Sequence, residues 1–168
     1  VPVSEDAAAV ARQIERVPAS KLTVIRNGID VERFRPPAIP RAFGKRVIHV
    51  ARLNLIKDQG TLLRAAKLVV KTDPGFRLDI VGDGPERPRL QEFVAGLGLQ
   101  DTVTLHGYKS DEQRDSILRR GWVTTSTSAA EGWGCSVIEA AAWGLPCVAL
   151  HVPGVRDSVV DGRTGWLV

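Results

Sequence analysis

Short β-branched runs alternate with helical patterns along most of this chain, and this alternation constrains the fold more strongly than any other feature. Because the connections are short, successive strands must be joined by right-handed βαβ crossovers, which place them parallel in one sheet. The predicted strands are residues 46–51, 76–81, 102–105, 122–126, 147–150 and 165–168, and the predicted helices are residues 61–71, 84–95, 110–120, 137–143 and 155–160. We therefore predict a Rossmann-like α/β fold, with a parallel sheet flanked by helices.

The first forty residues follow a different pattern. A helix is predicted to begin after Ser4 and to end near Arg16, a strand is predicted at residues 22–25, and a proline-rich connector follows. We interpret residues 1–40 as the tail of a preceding domain followed by a hinge, and residues 41–168 as the main domain. The alternative is that the first forty residues decorate that same domain. Since the chain contains no methionine, we expect it to be a piece of a longer protein.

The net charge of +4 is placed unevenly along the chain. Residues 1–46 carry nine Lys and Arg against five Asp and Glu, whereas residues 47–168 carry fourteen of each. A nucleic-acid-binding module needs a basic face with aromatic or helical readers, and the balanced main body has a single tyrosine. Nucleic acid is therefore not expected as a partner. The basic residues near the start are expected to be solvated, with contact to an anionic membrane surface as the alternative.

Membrane and redox signals are weak. No apolar run approaches the roughly eighteen residues of a membrane-spanning helix, and no secretory signal is visible. Cys135 and Cys147 have neither metal-site spacing nor the look of a disulfide framework, so both are expected to be reduced thiols. A nucleophile role for Cys135 is disfavoured, because no histidine lies near it in sequence to act as a base. We expect a cytoplasmic protein, with peripheral association at the inner face of the membrane left open.

Two cations lie in one predicted strand-to-helix loop. Arg52 directly follows the first strand of the main domain, and Lys57 comes five residues later. Ligands of parallel sheets bind at the carboxyl ends of the strands. Two cations there can neutralise a diphosphate, with each charge-assisted bond contributing about 1.5–3 kcal/mol. One alternative is an ordinary solvated loop with two basic residues, and another is an ion pair of Lys57 with its neighbour Asp58.

Residues 128–146 carry the strongest chemical signal. Glu131 precedes a glycine-rich turn that opens a helix, and the bare backbone N–H groups of such a turn suit an anion. Glu139 is expected about one turn inside that helix. Carboxylates accept hydrogen bonds from hydroxyl groups, and a buried glutamate without a partner is costly. A ligand with phosphate in the middle and hydroxyl groups at both ends, such as a nucleotide-sugar, fits this pattern. The alternatives are a favourable charge at a helix start for Glu131 and an exposed helical position for Glu139.

Other candidate sites are weaker. Residues 82–85 (Gly-Asp-Gly-Pro) match half of a dinucleotide-binding fingerprint, but Arg87 stands where the third glycine should be, so a tight turn is favoured over a nicotinamide cofactor site. His49 lies inside an apolar strand and is expected to be a satisfied core group. His106 ends a strand and is expected to line the pocket. The histidines do not lie at metal-ligand spacing.

In this order, the motifs resemble those of the GT-B glycosyltransferases of family four, the group-one type of retaining enzymes. The resemblance is to their C-terminal, donor-binding half and covers nearly the whole chain. Two positions depart from the pattern: Ala51 stands where a glycine often precedes the arginine, and Asp58 replaces a common glycine after the lysine. The matching blocks are residues 24–30 with Phe34 and Pro36, Ala51-Arg52 with Lys57, residues 81–85, residues 105–107, Glu131 with Glu139, and residues 146–150 with 153–165.

The resemblance implies a role for each block. Arg52 and Lys57 would hold the diphosphate and stabilise its charge as it leaves, Glu131 would hold hydroxyls of the transferred sugar, and Glu139 would bind the ribose hydroxyls. No metal and no cofactor is implied, since protein cations replace a divalent ion. The remaining donor-binding positions that it implies are Gly82, Gly107, Tyr108, Gly134, Cys135, Ser136 and Val137.

The implied reaction is the transfer of a hexose from a nucleotide diphosphate sugar to an unidentified sugar, lipid or polysaccharide acceptor, with retention of anomeric configuration. This half alone is expected to be inactive, because the closed cleft needs both domains. Two other classes stay open from the residues: a different enzyme of the same architecture, either a nucleotide-sugar epimerase or a dinucleotide oxidoreductase, and a non-catalytic nucleotide-sugar-binding module. The missing third glycine and the paired glutamates argue against the oxidoreductase.

Overall fold

A six-stranded parallel sheet forms the centre of the molecule, in a computed structural model that describes residues 1–34 and 45–168. The strands are β1 (Arg46–Val50), β2 (Arg77–Val81), β3 (Val103–Gly107), β4 (Val123–Ser126), β5 (Cys147–Ala149) and β6 (Gly165–Leu167). Their order across the sheet is β3-β2-β1-β4-β5-β6, and every neighbouring pair is parallel. The predicted fold class, a Rossmann-like parallel sheet flanked by helices, is confirmed.

Three of the helices begin at a side-chain cap that the sequence supplies. The Asp58 carboxylate accepts from the backbone N–H of Thr61 at 3.1 Å and starts the second helix. Ser110 and Gln113 form a reciprocal capping box at the start of the fourth. The helices are α1 (Glu5–Gln13), α2 (Gln59–Thr72), α3 (Arg87–Gly96), α4 (Asp111–Leu118), α5 (Cys135–Ala142) and α6 (Val155–Ser158). None of the helices in the described ranges is both long enough and apolar enough to cross a membrane.

The core lies on both faces of the sheet. Helices α2 and α3 cover one face, where their apolar stripes pack on β2 and β3. Helices α4 and α5 cover the other face, where Ile48 of β1 meets Trp143 and the edge-on ring of Phe34. The residues of the first cluster are Leu53, Leu62, Leu63, Ala66, Phe76, Leu78, Ile80, Leu90, Val94, Leu99 and Val103.

Two predicted elements are wrong in detail. Residues 22–25 do not pair with any strand in the described part of the chain, and the backbone N–H of Ile25 donates to the carbonyl of Pro2 at 3.0 Å. Helix α3 begins at Arg87 and not at Gly84, because Glu86 donates its backbone N–H to the carbonyl of Leu53 and holds the preceding residues as a turn. The proline in its first turn is Pro88.

Helix α1 packs against the start of α6. Ser4 caps it as predicted, accepting from Ala7 N at 3.1 Å. The Asp6 carboxylate accepts from the backbone N–H of Gly154 at 3.0 Å and from Arg156 Nε at 2.9 Å. This hydrogen-bonded guanidinium holds the pKa of Asp6 below its ordinary value. The proline-rich connector lies outside the described residues, and the division of the chain into residues 1–40 and 41–168 stays a prediction.

We predict that Gly121→Ala lowers the free energy of unfolding by about 1–3 kcal/mol. A Cβ at this position would lie 2.4 Å from Ile48 Cγ1 and 2.7 Å from Leu145 Cδ2, and both of these side chains are fully buried. Gly96→Ala is the matched control, because a Cβ there meets nothing within 4 Å. Urea unfolding of both variants measures the difference; equal stabilities would contradict the packing of this corner.

Candidate active site

A cavity of about 500 Å³ opens at the carboxyl ends of β1 and β4. These two strands are neighbours at the point where the strand order changes direction, which is where ligands of open α/β sheets bind. The lining residues come from loops that are far apart in sequence: Val50, Ala51, Arg52, Lys57, Val81, Gly82, Tyr108, Lys109, Arg114, Glu131, Gly134, Cys135, Ser136 and Glu139.

The cavity brings together most of the site residues predicted from the sequence. Arg52, Lys57, Glu131 and Glu139 all line it. Gly82, Tyr108, Gly134, Cys135 and Ser136 line it as well. Two predicted donor-binding positions lie just outside the lining. Val137 is buried against β5 and α6, and Gly107 is held in the sheet by a bridge to Gly82.

The loop after β1 is fixed by its own hydrogen bonds. A short 3₁₀ helix, Leu55–Lys57, is capped by Asn54, which accepts from the backbone N–H of Lys57 at 3.1 Å. Gln59, which is fully buried, donates to the carbonyl of Arg52 at 3.0 Å. The backbone that carries Arg52 and Lys57 is therefore held in place before any ligand arrives.

Lys57 forms an ion pair with Glu131 across the cavity. The ammonium donates to Glu131 Oε1, which also accepts from the Ser128 hydroxyl at 2.7 Å. Both charged side chains are mostly buried. The predicted alternative, in which Lys57 pairs with Asp58, is wrong, because Asp58 turns away to cap α2. The charges of Lys57 and Glu131 thus neutralise each other, and each is available to a ligand that offers a better partner.

The Glu131 loop rests on a close backbone approach. Its backbone N–H donates to the carbonyl of Pro153 at 3.1 Å. A Cβ added to Gly154 would lie 2.0 Å from the Glu131 carbonyl oxygen, so no larger residue fits there without moving the loop. Glu131 lies in the loop, as predicted, because Gly134 adopts a positive φ of 75° and starts α5 only after the turn.

The first turn of α5 faces the cavity. Val137 and Ile138 donate their backbone N–H groups to the carbonyl of Gly134, at 2.9 and 3.2 Å. The N–H groups of Cys135 and Ser136 have no acceptor among the described residues, as is usual in the first turn of a helix. An anion at this point would meet two backbone donors and the positive end of the helix dipole.

Glu139 lies one turn inside α5, as predicted, and an arginine that the sequence analysis missed lies beside it. Arg114 of α4 lines the cavity and places Nη2 at 3.4 Å from Glu139 Oε2. The sequence carried a signal for Arg114. Helix α4 follows β3, so a residue in its first turn lies at the carboxyl edge of the sheet, where the other site residues were predicted. Without the strand order, however, the sequence does not show that α4 and α5 are neighbours.

The two cysteines differ in environment. Cys135 is exposed at the cavity and accepts a hydrogen bond from Asn27 Nδ2 at 3.4 Å, whereas Cys147 is buried in β5. Burial raises the pKa of the Cys147 thiol to about 12, so it stays protonated. Within residues 1–34 and 45–168, no three carboxylate, imidazole or thiol side chains come together as a metal site requires.

The histidines are placed differently from the expectation. His106 does not line the cavity; its Nε2 lies 2.6 Å from Asp79 Oδ1, and Asp79 also pairs with Arg46. His49 is fully buried, and its Nδ1–H donates to the carbonyl of Thr125 at 3.0 Å. Its Nε2 has no hydrogen-bond partner in the described part of the chain. Only one of the two ring nitrogens therefore has the hydrogen bond expected of a core histidine.

The half-fingerprint at residues 82–85 forms a tight turn. Asp83 accepts from Gly84 N at 2.8 Å and from the Arg87 guanidinium at 2.9 Å. The Arg87 guanidinium fills the space beside Gly107, since a Cβ there would lie 2.3 Å from Arg87 Nη1. Residues 82–85 therefore form the tight turn that the sequence analysis favoured over a dinucleotide-binding site.

Comparison with known proteins gives the family. The profile of the family described as "Glycosyl transferases group 1" matches residues 32–168, most of the chain. The chain belongs to the group 1 glycosyltransferases. It has the Rossmann-like fold of a GT-B domain, which confirms the resemblance found in the sequence.

Individual relatives agree with this family. D-inositol 3-phosphate glycosyltransferase from Streptomyces scabiei is 32% identical over 98% of this chain, and the match covers 41% of that enzyme. A solved structure of a Staphylococcus aureus TarM mutant, in complex with Fondaparinux, alpha-GlcNAc-glycerol and UDP, is 27% identical with a TM-score of 0.82 and covers 92% of this chain and 31% of that one. Anabaena HepE in complex with UDP-glucose has a TM-score of 0.86 at 24% identity, covering 99% of this chain and 48% of that one, and supports the fold. The chain spans about two fifths or less of the length of the curated relatives reported first.

We predict that His49 makes the protein less stable as the pH falls from 6.5 towards 4. Desolvation lowers its pKa from 6.5 to about 4, so between these values the unfolded chain binds a proton that the folded chain does not. The loss amounts to about 3 kcal/mol once the pH is below 4.

Denaturant unfolding at pH 7, 5.5 and 4.5 measures the effect, with His49→Asn as the non-titrating control. The variant should lose less stability than the wild type over this interval. Equal pH dependence in the two proteins would show that the imidazole does not carry the effect.

Proposed function

We propose that this chain is the donor-binding part of a retaining hexosyltransferase, which holds a nucleotide diphosphate sugar in the 500 Å³ cavity. The observation that supports this best is the convergence of the two β1-loop cations, one helix N-terminus and two glutamates around that single cavity. A diphosphate flanked by two polyhydroxylated groups uses all of these features at once. A dinucleotide also carries a diphosphate between two riboses, but residues 82–85 lack the third glycine of its fingerprint, since Arg87 stands there.

The diphosphate is assigned to the centre of the cavity. Arg52 and Lys57 come from the β1 loop, and the free N–H groups of Cys135 and Ser136 face them from α5. A mostly buried ammonium interacts more strongly with phosphate than an exposed one does, because water screens the charge less. These donors are in place before the reaction, so they stabilise the charge that develops on the leaving diphosphate without reorganising.

The two glutamates are assigned to the two sugar rings. Glu131 would accept hydrogen bonds from hydroxyls of the transferred hexose, and Glu139, one turn inside α5, would accept from the ribose. Tyr108 is 79% exposed beside the ribose end, where it would contact the base. We therefore assign the hexose to the end of the cavity beside Glu131 and the nucleoside to the end beside α4.

Donor binding then exchanges one ion pair for two better-matched contacts. In the structure, Lys57 and Glu131 satisfy each other. With a donor bound, the Lys57 ammonium would donate to a phosphate oxygen, and the Glu131 carboxylate would accept from a sugar hydroxyl. The exchange keeps both buried charges paired, which avoids the cost of an isolated charge in the cavity.

The proposed reaction breaks the anomeric C–O bond, and its electron pair goes to the diphosphate. The acceptor hydroxyl attacks the oxocarbenium-like carbon from the same face, and the leaving phosphate oxygen takes the acceptor's proton. Configuration is thereby retained. Protein cations do the work of a divalent ion in this scheme, so neither a metal nor a cofactor is part of the proposal.

The acceptor is assigned to a sugar, a lipid or a polysaccharide bound by residues outside this chain. We expect the donor-binding part to be inactive by itself, because transfer needs the acceptor-binding residues as well. We place the full-length protein in the cytoplasm, with peripheral membrane association as the accompanying proposal. A UDP-bound relative at 27% identity supports a nucleoside diphosphate as the ligand, and the base stays to be measured.

We predict that Arg52→Ala and Lys57→Ala in the full-length protein each lower sugar transfer by roughly 10²–10³-fold, because each removes a charge that stabilises the leaving diphosphate. Lys71→Ala, at an exposed position near the end of α2, is the matched control and should transfer normally. Product formation is followed with UDP-, GDP- and ADP-sugars, and thermal denaturation checks folding.

The outcome separates the proposal from its rivals. Transfer with retained configuration, lost in both cavity variants, supports it. Turnover that is unchanged in a folded Arg52→Ala or Lys57→Ala protein contradicts it. Conversion of the donor to an epimer without transfer would assign the fold to an epimerase, and tight binding with no product would assign it to a binding module.

A further inference from the structure

Arg114 occupies an unusual electrostatic position beside the proposed ribose site. It lines the cavity next to Tyr108 and Glu139, and its side chain is 18% exposed. Its Nη2 lies 3.4 Å from Glu139 Oε2, which makes it the cation nearest to that carboxylate among the described residues. Its buried Nε–H has no hydrogen-bond acceptor in the described part of the chain.

Arg114 also forms ion pairs with two aspartates. Its Nη1 lies 3.1 Å from Asp111, and the same Nη2 lies 3.6 Å from Asp115. Both aspartates are also held by Arg33, each at 2.9 Å. The set contains two guanidinium groups and three carboxylates, so one negative charge is in excess.

Glu139 keeps acceptor capacity, because Arg114 approaches only one of its two carboxylate oxygens. Arg33 takes part of the charge of Asp111 and Asp115, which frees the Arg114 fork to reach towards the cavity. A planar guanidinium holds a carboxylate in a defined direction more firmly than an ammonium does. Glu139 is therefore kept against one wall of the cavity with lone pairs left for hydroxyl donors.

We propose that Arg114 is a positioning residue for ribose recognition, which fixes the Glu139 carboxylate so that it accepts hydrogen bonds from the ribose hydroxyls of the donor. The inference rests on the proposed function, since it needs a nucleoside diphosphate in the cavity. Arg114 acts through Glu139 and does not contact the diphosphate or the reacting carbon.

The test is a double-mutant cycle on nucleotide binding to the full-length protein. Calorimetry first selects UDP, GDP or ADP, whichever binds the wild type most tightly. Arg114→Gln, Glu139→Gln and the double variant are then titrated with that nucleotide and with its 2′,3′-dideoxy analogue, which lacks the ribose hydroxyls. Arg120→Gln, at an exposed position just past α4 and outside this cavity, is the matched control. Arg114→Lys keeps the charge without the fork.

The inference predicts a pattern across the two ligands. Arg114→Gln should weaken binding of the normal nucleotide by about tenfold, which is the effect of one good hydrogen bond. It should have little effect on the dideoxy analogue and little further effect in the Glu139→Gln background, because both remove the interaction that Arg114 supports. Arg114→Lys should recover part of the loss, and Arg120→Gln should bind normally.

Other outcomes overturn it. Equal weakening of the two nucleotides by a folded Arg114→Gln protein would mean a direct contact elsewhere on the donor, and a lowered melting temperature with the same equal weakening would mean a structural role. Normal binding by Arg114→Gln would leave the proposed function standing and remove this inference alone. A wild type that binds none of the three nucleoside diphosphates would overturn both.

Discussion

The adjacency of β1 and β4 is the constraint on which the site depends. The parallel pairing of Val47 with Val123 and of Ile48 with Thr124 fixes the two strands side by side, with the remaining strands added outward in opposite directions. Their following helices cover opposite faces of the sheet. The loops that leave the two strands therefore diverge, and a cleft must open between them. Lys57 and Glu131 meet across this cleft although 74 positions separate them.

Close backbone contacts give that cleft a fixed shape. A Cβ at Gly82 would lie 2.0 Å from the Ala51 carbonyl oxygen, and one at Gly154 would lie 2.0 Å from that of Glu131. The first contact holds the β2 loop against the loop that carries Arg52, and the second holds the Glu131 loop against the segment before α6. Neither loop has room to collapse, so Lys57 and Glu131 pair directly at the cavity, where little water screens their charges. This arrangement makes their pairing responsive to a charged ligand.

Much of the architecture could be predicted because it follows from local sequence patterns. The strand and helix periods are local, and so are the caps at Ser4 and Ser110, which is why those elements are confirmed. The position of Glu131 in a loop also follows from the glycines that surround it. The family resemblance added the roles of the charged residues, which local patterns alone left open.

The failures share a physical cause, namely partners that are remote in sequence. Residues 22–25 have strand-like composition but no neighbouring strand among the described residues. His106 ends β3, where a pocket residue was expected, but its imidazole pairs with Asp79 on the adjacent strand. Arg114 was missed because its significance depends on the contact between α4 and α5. In each case the side chain's neighbours are set by strand order, which the periodicity of the sequence does not contain.

The central claim is that one cavity holds the diphosphate between Lys57 and the first turn of α5. The most direct measurement is a crystal structure of the full-length protein with its preferred nucleotide-sugar bound. The account predicts phosphate oxygens within hydrogen-bond distance of Lys57 Nζ and of the Cys135 or Ser136 N–H, with Glu131 moved from Lys57 to a hydroxyl of the sugar. A nucleotide-sugar bound elsewhere, with the Lys57–Glu131 pair intact, would contradict it.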